Sequence, residues 1–301
     1  LISALLIIPG LIAMGISLAR FGAPMRLSID FTGGSLLEVQ FPQAVLPGDV
    51  LGIVSEQGVT EAKVQTVGDA RTVIIRSKPM ELETKLAVEK ALETKFGSLN
   101  ELRFETVGPS VGREVTRAAS IAVVVASLAI LVYIVIAFHR VPNAFRYGIC
   151  ALAAMFHDIL VAVGLFSLMG LVLGWEADAL FLTAILTVIG FSVQDTIVVF
   201  DRIRENVPKR RGEPYEMIVN RSLVETLHRS LATQLNAIFV LIAILFFGGA
   251  TIKQFVAVLL VGMLSGTYSS IFNAVPLLVV WEKDEIGRFF RGLRRQPATQ
   301  A

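Results

Sequence analysis

Six long apolar runs punctuate the chain, at Leu1–Ala19, Ala118–Phe138, Ala144–Leu173, Ala177–Phe200, Leu231–Phe247 and Phe255–Trp281. Each is near or above the roughly 20 residues that cross a bilayer as a helix, so the pattern predicts six transmembrane helices. Between the first two runs the pattern changes. Leu36–Phe41 and Glu101–Val107 alternate apolar and polar positions as half-buried strands do, Thr72–Arg76 follows the turn signal Gly68-Asp69, and Ala62–Val67 supplies a further strand. A helix after Pro47-Gly48-Asp49 places Val50, Ile53 and Val54 on one face; a second, after Pro79, carries Leu82, Leu86, Leu92 and Phe96 and stops at Gly97. The order strand, helix, strand, strand, helix, strand fits a small α+β ferredoxin-like domain between spans one and two. The predicted organisation is therefore a first span (1–19), this domain (20–117), spans two to six (118–281) and a polar tail (282–301).

Composition agrees with a membrane protein: 54% of the 301 residues are hydrophobic and only 17% are charged, below the quarter usual for soluble domains. The charges that remain are unevenly placed. Thirteen Lys and Arg occupy the connections after spans two and four and the stretch beyond Trp281, whereas Gly174–Asp178 has none and Gly248–Lys253 contributes only Lys253. By the positive-inside rule the basic loops and C-terminus are cytoplasmic, and residues 20–117 are extracytoplasmic. The basic tail Phe289–Arg295 reads as an anchor on anionic membrane lipid, in preference to a nucleic-acid site. The chain opens on Leu1 without a charged flank, so its N-terminal flank is expected to be missing and the first run to be a span rather than a cleaved signal peptide. The only cysteine, Cys150, lies inside span three, which excludes a disulfide framework. No His or Cys and no Gly-rich loop opening a helix occurs in residues 20–117, so neither a metal nor a phosphate site is signalled there. No hydrolytic or redox constellation appears anywhere, and an enzyme is not expected.

The chemistry lies in the membrane acids. A charged side chain at mid-bilayer costs about 2.5–3.5 kcal/mol by insertion scales, which makes each such residue a functional candidate. Asp195 interrupts span four, and His157-Asp158 sits near the middle of span three. Ser192, Asp195 and Thr196 share one helix face by their i, i+3, i+4 spacing. That face reads as a polar seam, although Asp195 is close enough to the basic boundary for snorkelling to compete. In span five Arg229, Thr233 and Asn236 again share a face, which set against span four would bring Arg229 to Asp195; a plain topology anchor is the alternative reading of Arg229. In span six Gly262 and Gly266 form a small-residue face for close packing, flanked by Ser265, Ser269 and Asn273 as interhelical hydrogen bonders. Phe31-Thr32-Gly33-Gly34 reads either as a flexible entry to the first strand or as a moving hinge.

Five ordered segments, Ile29–Val39, Val107–Glu114, His157–Ile159, Gly190–Asn206 and Ser265–Asn273, resemble the signatures of the SecD/SecF family of protein-export membrane subunits, in its SecF branch, related to resistance-nodulation-division transporters. The resemblance implies a bacterial or archaeal cytoplasmic-membrane protein that partners SecD. It further implies use of a proton gradient, or in some members sodium, to promote the late passage of preproteins through the SecYEG translocon, with no other cofactor. The family acid of span four would fall on Asp195 and the family arginine of span five on Arg229. A carboxyl group in such a seam can change protonation as a guanidinium approaches or withdraws, which would make a proton-gated latch. Two rivals remain: half of a small-molecule exporter, and a passive scaffold in which Asp195 and Arg229 form a structural ion pair.

Overall fold

A computed structural model describes residues 2–67, 70–139, 141 and 143–283. The turn signal Gly68-Asp69, Arg140 and the basic tail Phe289–Arg295 lie outside the described residues. Leu27–Ile121 forms one compact unit, and the described residues on either side of it form a second.

In the first unit a short helix α2 (Ile29–Thr32) leads into β1 (Gly34–Gln40), α3 (Pro47–Glu56), β2 (Lys63–Val67), β3 (Thr72–Ser77), α4 (Leu82–Phe96) and β4 (Asn100–Val107). The four strands form one antiparallel sheet in the order β2-β3-β1-β4. Because side chains alternate across a strand, the register that sets Leu37 opposite Ile75 and Val39 opposite Val73 puts all four on one face, where they join the core. Val50, Ile53 and Val54 of α3 are buried together, as their spacing predicts. The face of α4 differs from the one read in the sequence. Leu82 and Leu86 are 64% and 54% exposed, and Lys85, Val88 and Leu92 turn inward instead. At 100° per residue Leu82 and Leu86 lie well round the helix from Leu92, whereas Lys85 and Val88 fall almost above it. A lysine can take an inward place because its stem packs beside apolar groups while Nζ reaches Glu89 and Glu101 and lies 5.4 Å from the centre of the Phe104 ring.

Among the described residues six helices are long and apolar enough to span a bilayer: α1 (Ile2–Phe21), α5 (Pro109–Ala137), α6 (Ala144–Leu173), α7 (Ala179–Lys209), α8 (Tyr215–Phe247) and a composite sixth; apart from the first part of α5, they lie in the second, membrane unit. That sixth span is α9 (Ala250–Ser269), a π-helical turn (Ser270–Ala274) and α10 (Val275–Glu282). Several helices outrun their apolar runs: α5 begins at Pro109, α7 continues to Lys209 and α8 starts at Tyr215. Hydropathy marks the stretch that faces lipid, while the hydrogen-bonded helix continues through polar turns beyond it. Gly174, at φ 73°, ends α6, and Asp178 caps α7 by accepting from the Phe181 amide at 2.8 Å. Helices α6, α7 and α9 form the interior, and α1 crosses α6 at Gly10 and Gly164, where a Cβ on either would come within 2.8 Å of the other's Cα. The outer faces of α1, α5 and α8 carry exposed Leu, Ile, Val and Phe, as lipid-facing surfaces do.

Candidate functional site

Both candidate acids are buried in this interior, and their surroundings differ in kind. Asp158 on α6 is fully buried and accepts four hydrogen bonds. Ser192 Oγ of α7 and Ser269 Oγ of α9 donate to Oδ2 at 2.6 and 2.7 Å, while Ser265 Oγ of α9 donates to Oδ1 at 2.7 Å. His157 Nδ1 lies 3.0 Å from Oδ1. A carboxylate offers about four lone-pair positions, so the cage fills every one with a donor. It also explains the small residues. A Cβ on Gly266 would lie 3.6 Å from Asp158 Oδ2 and 3.2 Å from Ser192 Cα, and a Cβ on Gly262 would press into Val188. The two glycines thus let α9 approach α7 closely enough for Ser265 and Ser269 to reach α6. The π turn starts at the residue after Ser269.

Asp195 on α7 is 4% exposed, and Thr196 and Ser192 beside it are buried too, so snorkelling does not describe this acid. The three do not act together, however: Ser192 turns to Asp158, and Thr196 Oγ1 donates to the Ser192 carbonyl at 3.3 Å. Among the described residues a single side-chain donor serves Asp195, Gln234 Nε2 of α8, 2.7 Å from Oδ2. Gln234 Oε1 and Ser230 Oγ, one turn apart on the same face of α8, are buried without a hydrogen-bond partner among the described residues. His157 Nε2 is also buried and unpartnered among the described residues.

The expectation that Arg229 meets Asp195 is not met in this structure. Arg229, Thr233 and Asn236 share a face, but it is the exposed one. Ser222, Thr226, Ser230, Gln234 and Ile238 are turned inward. One residue, or 100°, separates the two stripes. No Lys or Arg among the described residues pairs with either Asp158 or Asp195. The sequence did carry a signal for Gln234: four polar residues at strict four-residue intervals, Ser222, Thr226, Ser230 and Gln234. On α9 the readings of Ser265 and Ser269 as interhelical hydrogen bonders hold, and Asn273 accepts from Ser3 of α1 at 3.3 Å.

In the other unit, Phe31-Thr32-Gly33-Gly34 makes a packed backbone crossing. Gly33 and Gly34 have φ of 72° and 121°, the left-handed region that favours glycine. A Cβ on Gly33 would stand 2.7 Å from Pro109 Cα, one on Gly34 2.5 Å from the Ser77 carbonyl, and one on Gly112 2.8 Å from the Phe31 carbonyl. In the same unit the charges around Lys85 are tuned by contact. Burial works against its ammonium, but hydrogen bonds to Glu101 and Glu89 outweigh burial and hold it above the usual lysine value. The Lys85 hydrogen bond holds Glu101 below the usual carboxylate range, and burial pushes Glu89 above it.

A family model described as protein export membrane protein SecD/SecF, C-terminal, matches residues 87–284, and one described as the SecD/SecF GG motif matches residues 21–45. The chain is 50% identical over 312 residues to the protein translocase subunit SecF of Thermobaculum terrenum, covering all of this chain and 96% of that one. It is 35% identical over 271 residues to the protein translocase subunit SecDF of Bacillus subtilis, covering 87% of this chain and 35% of that one. Among solved structures, the crystal structure of SecDF from Thermus thermophilus superposes with a TM-score of 0.77 at 32% identity, over 94% of this chain and 37% of that one. The chain thus spans nearly the full length of its SecF relative and about a third of the SecDF chains.

Proposed function

The chain belongs to the SecD/SecF family of protein export membrane proteins, and from that premise we propose that it is the SecF-type subunit of a complex coupling an ion gradient to protein translocation. The coupling carboxylate in this reading is Asp195. One observation carries the choice: among the described residues two acids are buried in the membrane unit, and only Asp195 is left with a single neutral donor, Gln234, whose own Oε1 is unpartnered. A group that must bind and release a proton, or a sodium ion, needs open coordination, which a carboxylate surrounded by four donors lacks. Asp158 is then the fixed member, pinning α6, α7 and α9 around the moving site. Each proton crossing about 100 mV releases roughly 2.3 kcal/mol, enough to bias a two-state movement and too little to drag a polypeptide unaided, so the work accumulates over cycles. No enzymatic step and no cofactor beyond the coupling ion enters this scheme.

The rest of the reading concerns partners and placement. Thr183 and Gln194 of α7 and Arg229, Thr233 and Asn236 of α8 are exposed within membrane-spanning helices. Polar groups at such depth normally face a bundle interior or water rather than lipid, so a second membrane half is needed to cover them. A SecD-type subunit supplies that half, consistent with the SecDF relatives in which both names share one chain. Arg229 would then meet Asp195, or the partner's membrane acid, across this interface rather than inside the subunit. The basic connections face the cytoplasm, and Leu27–Ile121, a ferredoxin-like domain by its strand order, lies outside, where it meets preprotein emerging from SecYEG. The rival scaffold reading required an Asp195–Arg229 ion pair within the chain, and this geometry offers it no support. Translocation of a preprotein into inverted vesicles, with the gradient present and collapsed, tests the proposal: stimulation that survives Asp195→Asn at the wild-type level would overturn it.

A further inference from the structure

Where α5 ends and α7 runs beyond its apolar stretch, the membrane unit holds a cavity of about 750 Å³. Three of its lining residues are basic, His139, Arg204 and Arg211; the others, among them Val141, Val207 and Pro208, are apolar, and no acidic side chain among the described residues lines it. Arg204 is fixed in place. One guanidinium nitrogen donates to the Ala137 carbonyl at 2.7 Å, another lies 2.6 Å from Asp201, and the group sits 5.3 Å from the centre of the Phe138 ring. Asp201 largely offsets its charge. Arg211 is exposed and has no ion pair or hydrogen bond among the described residues. His139 Nδ1 lies 2.8 Å from the Ile136 carbonyl, which can only accept, so Nδ1 carries the hydrogen and Nε2 of the neutral ring is left as an acceptor for a ligand hydroxyl.

A basic rim over an apolar wall, at the water end of membrane-spanning helices, suits a ligand with an anionic head and a hydrocarbon tail. The geometry points to an anionic glycerophospholipid, its phosphate at Arg211, a headgroup hydroxyl donating to His139 Nε2 and its upper acyl carbons along Val141, Val207 and Pro208. Basic recesses between membrane helices recognise such headgroups, and guanidinium matches phosphate in a bidentate fork. The lining also selects among lipids: with no acidic residue among the described lining residues, a choline ammonium finds no partner there and sits beside the uncompensated Arg211 guanidinium. The volume lies within the range of small-ligand pockets. None of these residues belongs to the Asp158 or Asp195 cluster, so the site stands independently of the proposed ion coupling.

The test is lipid retention by the full chain, purified in detergent and titrated with phosphatidylglycerol or with phosphatidylcholine of the same acyl chains, read by native mass spectrometry. Phosphatidylglycerol is expected to bind about tenfold more tightly, the scale of one charge-assisted hydrogen bond. Arg211→Gln with His139→Gln should abolish that preference, while Lys209→Gln, which removes the same charge as Arg211→Gln just outside the cavity, should keep it. Val207→Trp, which fills the apolar wall without changing charge, should also weaken retention; an unchanged thermal unfolding midpoint for each variant establishes that it is folded. Equal retention of the two lipids, an equal loss in Lys209→Gln, or binding of soluble glycerol phosphate as tight as that of the lipid would overturn the proposal.

Discussion

Asp158 and Asp195 lie on neighbouring helices, and both are withdrawn from solvent, yet the protein treats them in opposite ways. Among the described residues, the first receives three serine hydroxyls and an imidazole from three helices, and the second one amide. Burial alone therefore does not identify a working acid in a membrane. The number of donors separates the two, because a carboxylate whose lone pairs are all filled has no position left for a proton or a small cation, and one left short has room for it.

The largest expected effect separates the two directly. Asp195→Asn keeps the shape and can still accept from Gln234, so insertion and thermal stability should match wild type while gradient-dependent stimulation of translocation falls at least tenfold. Asp158→Asn should do the reverse. It halves the acceptor capacity inside the cage and strands donors, at about 1–3 kcal/mol per unsatisfied group, so the unfolding midpoint in detergent should drop clearly. A midpoint unchanged in Asp158→Asn but lowered in Asp195→Asn would invert the comparison. A smaller effect is expected at Gln234→Leu, which removes the one donor to Asp195: translocation should slow several-fold with little change in stability, and Thr233→Leu, one position away on the exposed stripe, should leave the isolated chain's stability unchanged.

The smallest effect concerns charges in the other unit, where water competes. Glu101 has its folded value held down by Lys85, so its contribution is complete above the unfolded carboxylate range and is lost as pH falls through the folded value. Lys85, held above the ordinary lysine value, contributes below that value and ceases to do so as pH rises through its folded one. Glu89, raised by burial, works against stability wherever it is ionised. Protection factors of β4 amides, corrected for the intrinsic pH dependence of exchange, should thus fall modestly below the ordinary carboxylate range, and this acid response should vanish in Glu101→Gln. An unaltered acid response in that variant would assign the effect to other carboxylates.

Much of the architecture was legible before any coordinates. Six apolar runs became six candidate spans, and the strand and helix order of residues 34–107 followed from alternation, Pro and Gly, because solvent and backbone sterics act locally along the chain. Spacing also named residues that share a face: Val50 with Ile53 and Val54, and Arg229 with Thr233 and Asn236. What spacing cannot supply is phase, the choice of which face turns inward. On α4 the packing selected Lys85, Val88 and Leu92 over Leu82 and Leu86, and on α8 it selected Ser230 and Gln234 over Arg229 and Thr233. Ser192 shares a stripe with Asp195 and yet serves Asp158, since the side chain follows the nearest buried acceptor on a neighbouring helix rather than its companion on its own. Periodicity, composition and the presence of two membrane acids were properties of the chain. Which acid is saturated and which is left open was decided by helix rotation, and rotation is fixed only when α9 closes on α7 through Gly262 and Gly266 and every interior hydroxyl finds its acceptor.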